Sequence, residues 1–245
     1  REDIPLLSAA EVIARDGLDS ALEAPIERLL SVTTDPDTRI GLGSSITRLI
    51  ATGDVNLGDA AQVDLLVLLL KRTWNPVKIL DDVAQLMRGT GLSLANSEHA
   101  AFLEKILTPK IWVGYYVSAA GHLLRTELKI DDAGHRAFLV QLANVGPSVG
   151  PTSGALMAAT DVGALTLSRP ADFRLAERIL DIAGVDAGAV FKLLPKLTPP
   201  LLADAPQWLP AFLSDLRTRT GNLNTLVQAV GTSLGSPTGG ILATP

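Results

Sequence analysis

Few residues in this sequence sit where they could do acid–base or nucleophilic chemistry, and spacing decides each case. There are three histidines and no cysteine. Thiolate nucleophiles, disulfides and Cys-ligated metals are therefore excluded, while the redox compartment stays open. His99, His122 and His135 form no H-E-x-x-H and no other i, i+4 pair, so no metal site is expected. His99 and His135 each lie beside a carboxylate near a helix start and are expected to be exposed first-turn residues. The paired acids Asp81-Asp82 and Asp131-Asp132 read as caps and first-turn charges. The segments "DPDTRIG" and "DVNLGD" resemble calcium loops, but both misplace the glycine and lack a twelfth-position Glu.

The stretch "GTSLG" at 231–235 matches the nucleophile-elbow pattern by letter. That chemistry needs an acid and a His later in the chain, and no Asp, Glu or His follows Ser233. "GLGSSITR", with Gly41 and Gly43 ahead of a helix, offers a phosphate-binding entry. It lacks both the Lys-Ser/Thr of a P-loop and a preceding strand. No cofactor is expected from either.

The best candidate ligand surface is "IWVGYYVSAAGHLL". On a helix, Trp112, Tyr115 or Tyr116, Ala119 and His122 fall along one side. Polar-tipped aromatics beside a His could line a pocket for a small molecule or lipid. The competing reading is a core helix whose phenols reach hydrogen-bond partners.

The elements that position these residues read as helices. "SAAE" at Ser8–Glu11 is a capping box, and Pro25 suits the first position of "PIERLLSV". "TTDPDTR" reads as a turn, followed by a short helix "GSSITRLIAT". Asp59 caps an apolar helix running to Trp74, which should lie centrally. "VKILDDVAQLMRG" follows, then "EHAAFLEKIL" capped by Asn96 or Ser97, the "IWVGYY" helix, and "DAGHRAFLVQLANV" capped by Asp131. A Gly/Pro hinge, "GPSVGP", joins helix 132–145 to helix 153–168. Next come "ADFRLAERILDIAG" and "AGAVFKLL", with Asp186 as cap. "PKLTPPLLADAPQWLP" holds five of the fifteen prolines and reads as an irregular connector. "AFLSDLRTRT" and "NLNTLVQAVGTSL" close the helical part.

Two-residue alternation is nearly absent. The expectation is all-α: an irregular bundle or loose helical solenoid of 10–12 short helices. The cap residues Asp59, Ser97, Asp131 and Asp186 are unequally spaced, so no fixed repeat is expected. Residues 1–235 are expected to form one domain, with a sub-boundary near 146–152 and a flexible tail over 236–245.

Composition bounds the function. The net charge of -5 argues against nucleic acid. Residues 1–37 carry nine acids against three arginines, a solvated face or a docking face for a basic partner. The start at Arg1, without Met, points to a processed chain or an excised piece. "REDIPLLSAAEV" has no apolar core of a signal peptide, and cytoplasmic and exported locations both fit. No uncharged stretch is an ordinary span of about 20 apolar residues, because "GPSVGP" interrupts 137–160. A membrane-active, toxin-like protein that inserts this hairpin is an alternative. The leading expectation is a non-enzymatic helical module with a protein partner.

Overall fold

The computed structural model describes residues 7–73, 75–107 and 113–219, together with Thr225 and Val227. The regular elements among the described residues are α-helices and 3-10 turns, with no strand, so the chain is all-α. It divides into two units, Arg1–Lys110 and Ile111–Pro245.

The first unit holds α1 (Ala9–Asp16), α2 (Glu23–Leu30), α3 (Pro36–Ile50), α4 (Ala60–Arg72), α5 (Pro76–Met87) and α6 (Ser97–Leu107). Here α2 packs on α4 and α4 on α6, while α1 packs on α3 and α3 on α5. The second unit holds α7 (Val113–Thr126), α8 (Ala133–Ala143), α9 (Val149–Asp161), α10 (Pro170–Ala183), α11 (Ala187–Leu193), α12 (Pro199–Ala203) and α13 (Ala205–Arg219). It repeats the pattern, with α7, α9 and α11 in one layer and α8, α10 and α13 in the other. Each unit is thus a two-layer stack of helical hairpins, which is solenoid construction.

A repeat underlies this stacking, contrary to the expectation of none. The helices α2, α4, α6, α8 and α10 begin at residues 23, 60, 97, 133 and 170, intervals of 37, 37, 36 and 37. Four of the five starts share one local device. The side chain at the third helical position reaches back to the N–H three residues before the cap. Gln62 Oε1 accepts from Asn56 at 2.9 Å, His99 Nδ1 from Ser93 at 3.3 Å, His135 Nδ1 from Lys129 at 2.9 Å, and Asp172 Oδ2 from Thr166 at 2.9 Å. In the first three, the cap side chains of Asp59, Asn96 and Asp132 also accept a first-turn N–H. Two residues before each cap stands a buried aliphatic side chain: Leu57, Leu94, Ile130 and Leu167. Within the helices, Leu66, Leu103, Leu139 and Ala176 recur at the same register and are all buried. The loop is held by polar bonds and pinned by an apolar anchor, so within each unit the hairpins start from the same local geometry.

Several local expectations change. "TTDPDTR" and "GSSITRLIAT" form one helix, α3, with Asp35 as cap and Pro36 as its first residue. Pro25 lies in the first turn of α2 instead of opening it, a place where its missing N–H leaves no bond unmade. The helix capped by Asp59 ends at Arg72, and Trp74 lies outside the described residues. That helix is not enclosed on all sides: Leu66, Leu69 and Leu70 are buried, but Leu65, Val67 and Leu68 are only half-buried. The helix expected over 153–168 starts at Val149 and ends at Asp161, with Pro151 in its first turn and a 3-10 turn over Gly146–Ser148 as the hinge. Asp186 makes no side-chain cap bond. The proline-rich connector is partly helical, because α13 begins at Ala205 and carries Pro210 inside it. "GTSLG" and the tail 236–245 lie outside the described residues, as does nearly all of "NLNTLVQAVGTSL".

Candidate functional site

The aromatic segment was the leading candidate from sequence. Trp112 lies outside the described residues, and so does the side chain of Tyr115. Tyr116 is buried, and its hydroxyl donates to the Leu139 carbonyl of α8 at 2.9 Å. Burial pushes the phenol well above its usual pKa, so it is a fixed neutral donor. His122 lies at the surface, where its Nε2 is 2.9 Å from Asp161 Oδ1 at the end of α9. Tyr116 and His122 are six residues apart, about 120° around a helix of 3.6 residues per turn. One turns into the core and the other out of it, so the described members of the set do not line a common opening.

The other two histidines are not exposed as expected. His99 is 2% exposed, and both His99 and His135 serve the loop device described above. Accepting through Nδ1 requires the neutral ring with its proton on Nε2. His135 also packs edge-on against Phe173, with ring centroids 4.9 Å apart.

The Asp81-Asp82 pair lies inside α5 and caps nothing. Asp81 accepts from Arg48 of α3 at 2.7 Å, while Asp82 is buried with Lys78 Nζ at 2.7 Å. Burial raises the Asp82 carboxyl, against the lowering effect of Lys78. Among the described residues no group of His, Asp and Glu is placed to hold a metal ion. The glycines of "GLGSSITR" form no loop at all. Both lie inside α3, where a Cβ on Gly41 would stand 2.8 Å from Val77 Cγ2, and one on Gly43 2.7 Å from Leu7 Cδ2. They are contact points for close packing.

The acids of residues 1–37 are largely occupied locally. Glu11, Asp19 and Asp35 cap helices, Asp16 meets Arg15 and Thr47, and Glu27 faces Arg39.

An open groove of about 510 Å³ runs between α10 and α13. The two helices are parallel: Ala171 and Pro206 line the groove together, and Arg217 Nη1 donates to the Ile182 carbonyl at the other end. Leu209 and Leu213 of α13 are buried, as are Leu175 and Ile179 of α10. Arg174 and Arg178, one turn apart on α10, form one wall; Gln207, Pro210 and Ser214 form the other. Both guanidinium-bearing residues are exposed, and neither makes a hydrogen bond or ion pair. Pro210 has no N–H to give the Pro206 carbonyl, and Pro206 also lines the groove.

Neighbouring helices are also bridged by side chains elsewhere: Arg28 to Asp64 and Arg72 to Glu104 within the first unit, and Gln141 to Asp181 within the second. At the groove, the side chain that joins the two helices is Arg217, at the far end from Ala171 and Pro206. Nothing in the sequence reading selected these residues, because "ADAPQWLP" reads as a connector. Taken as helix, Gln207, Ala211 and Ser214 fall on one flank at i, i+4, i+7 spacing. The chain matches no family model, no curated protein and no solved structure.

Proposed function

We propose that this chain is a non-enzymatic helical interaction module that works by presenting an exposed side-chain surface to a protein partner. The observation that carries the reading is the stacked hairpin repeat. Such arrays bury only their neighbours' faces and leave long rows of solvent-facing positions, the usual binding surface of this construction. Fold alone assigns no activity, so the groove chemistry matters too. Its lining has guanidinium, amide, hydroxyl and apolar groups, and no carboxylate or imidazole is among the lining residues.

The test is photo-crosslinking of the full chain in lysate of its own organism, with crosslinked positions mapped by mass spectrometry. Saturable crosslinks to protein, clustered on one exposed row of the repeats, are expected. Absence of any saturable crosslink would refute the reading.

The membrane-active alternative requires α8 and α9 to leave the two packed layers in which Leu139, Leu142, Leu156 and Ala159 are buried. No helix among the described residues is long and apolar enough to cross a membrane. Leakage from anionic liposomes at pH 5 or 7 would favour that alternative over a protein partner.

A further inference from the structure

We infer that the groove between α10 and α13 binds an extended acidic segment of a partner protein, one with carboxylates at alternate positions. This rests on the interaction-module reading and names the partner's chemistry.

Charge, spacing and the groove lining point the same way. Arg174 and Arg178 are exposed along one rim and make no hydrogen bond or salt bridge, although Arg174 also feels the Glu177 carboxylate of its own helix. Guanidinium groups bind carboxylates in a planar, two-bond geometry. Four residues on a helix advance about 6 Å along its axis. Alternate residues of an extended strand lie about 6.6 Å apart on one face. A strand laid along α10 therefore brings two same-face carboxylates to the two arginines in register.

The opposite wall suits the strand's backbone. The Gln207 side chain both donates and accepts, Ser214 does the same, and the Pro206 carbonyl lacks the usual i+4 donor because Pro210 has no N–H. Leu175, Pro210 and Ala211 supply an apolar lining for the small or aliphatic residues in between. That lining and the chain's net charge of -5 favour a peptide over a nucleic acid, which would need a broad basic field.

The experiment is fluorescence anisotropy on the full chain at low salt, with a fluorescein-labelled nonapeptide of alternating Ala and Glu. A peptide with Lys for Glu and a single-stranded oligonucleotide of equal charge are run beside it. The acidic peptide is expected to bind and the lysine peptide not to. Arg174→Glu with Arg178→Glu is expected to weaken binding about tenfold or more, with unchanged helical circular dichroism and Tm. If that charge reversal unfolds the chain, Arg174→Gln with Arg178→Gln replaces it and should weaken binding in the same direction.

No binding of the acidic peptide by wild type, equal binding by the folded double variant, or tighter binding of the oligonucleotide would each overturn the inference. Crosslinks mapped to another face, with no peptide binding here, would remove the groove and leave the module reading intact. Absence of any partner crosslink would remove the module reading itself.

Discussion

Gly41 gives the sharpest test of the packing, because the sequence reads it as an entry ahead of a helix and the structure places it in the middle of α3 against α5. Gly41→Ala adds one methyl. In an open helix interior this change is worth roughly 0.5–1 kcal/mol in favour of folding. Here the new carbon would lie 2.8 Å from Val77 Cγ2 and 3.3 Å from Val77 Cγ1. Val77 is β-branched, so few rotations relieve the contact. Forcing an extra carbon into a packed contact costs roughly 1–3 kcal/mol. The net is a destabilisation of roughly 0.5–2 kcal/mol, or about 1–8 °C in Tm for a chain of this size. Val77→Ala removes both offending atoms and leaves Val77 Cβ at an ordinary 3.7 Å. In that background Gly41→Ala should therefore stabilise. The four proteins of the cycle are compared by urea unfolding followed by far-ultraviolet circular dichroism. A coupling of roughly 1–3 kcal/mol, of the sign that rescues the double variant, is expected. A single variant as stable as wild type, or a coupling near zero, would refute the close contact of α3 and α5.

Other expectations follow from equally local geometry. Gly188→Ala should destabilise, since its Cβ would stand 3.1 Å from the Thr152 backbone, whereas Gly154→Ala, with no atom within 4 Å, should stabilise by roughly 0.5–1 kcal/mol; equal thermal shifts would contradict the packing of α9 on α11. Tyr116→Phe should cost roughly 0.5–1.5 kcal/mol in urea unfolding, the worth of one buried hydrogen bond to a carbonyl that keeps its helical partner. His135→Gln should be near neutral in Tm while His135→Ala loses stability, because Gln62 makes the same reach-back bond two registers earlier; equal losses would break the equivalence of the repeats. The Asp82 carboxyl is raised in the fold, so its protonated form is favoured there. Its contribution is full below the unfolded pKa of about 3.9 and lost as pH rises through the folded value. Asp82→Asn should accordingly be at least as stable as wild type at pH 7, with wild type gaining on it as pH falls toward about 4. A gain in the opposite direction would show that the Lys78 bond outweighs burial.

Sequence and structure divide the explanation by physical range. The all-α class, the absence of cysteine chemistry and most helix starts follow from interactions within a few residues. Ser8 with Glu11, Asp59 and Asn96 could be read directly because a cap bonds an N–H two or three positions away. The same information encodes the repeat, yet the choice of cap residue hid it. Ser97 and Asp131 are each one residue from the true caps Asn96 and Asp132, and Asp186 belongs to the other layer. Those small errors turn intervals of 37, 36 and 37 residues into unequal ones. An Arg at the fourth start, where Asp172 does the work, carries no cap signature at all.

Tertiary contact decided the rest. Gly41 and Gly43 look like a loop in sequence, since glycine disfavours helix; the close approach of Val77 and Leu7 outweighs that preference and keeps them helical. His99 and His135 look exposed beside their acids, but a bond to a backbone N–H six residues upstream holds each ring against the fold. Tyr116 and His122 lie on one helix, and only the packing of α8 and α9 shows that they face different surroundings. The α10–α13 groove depends on which helices become neighbours. That is set by the stacking of one hairpin on the next, and no single segment of the sequence contains it.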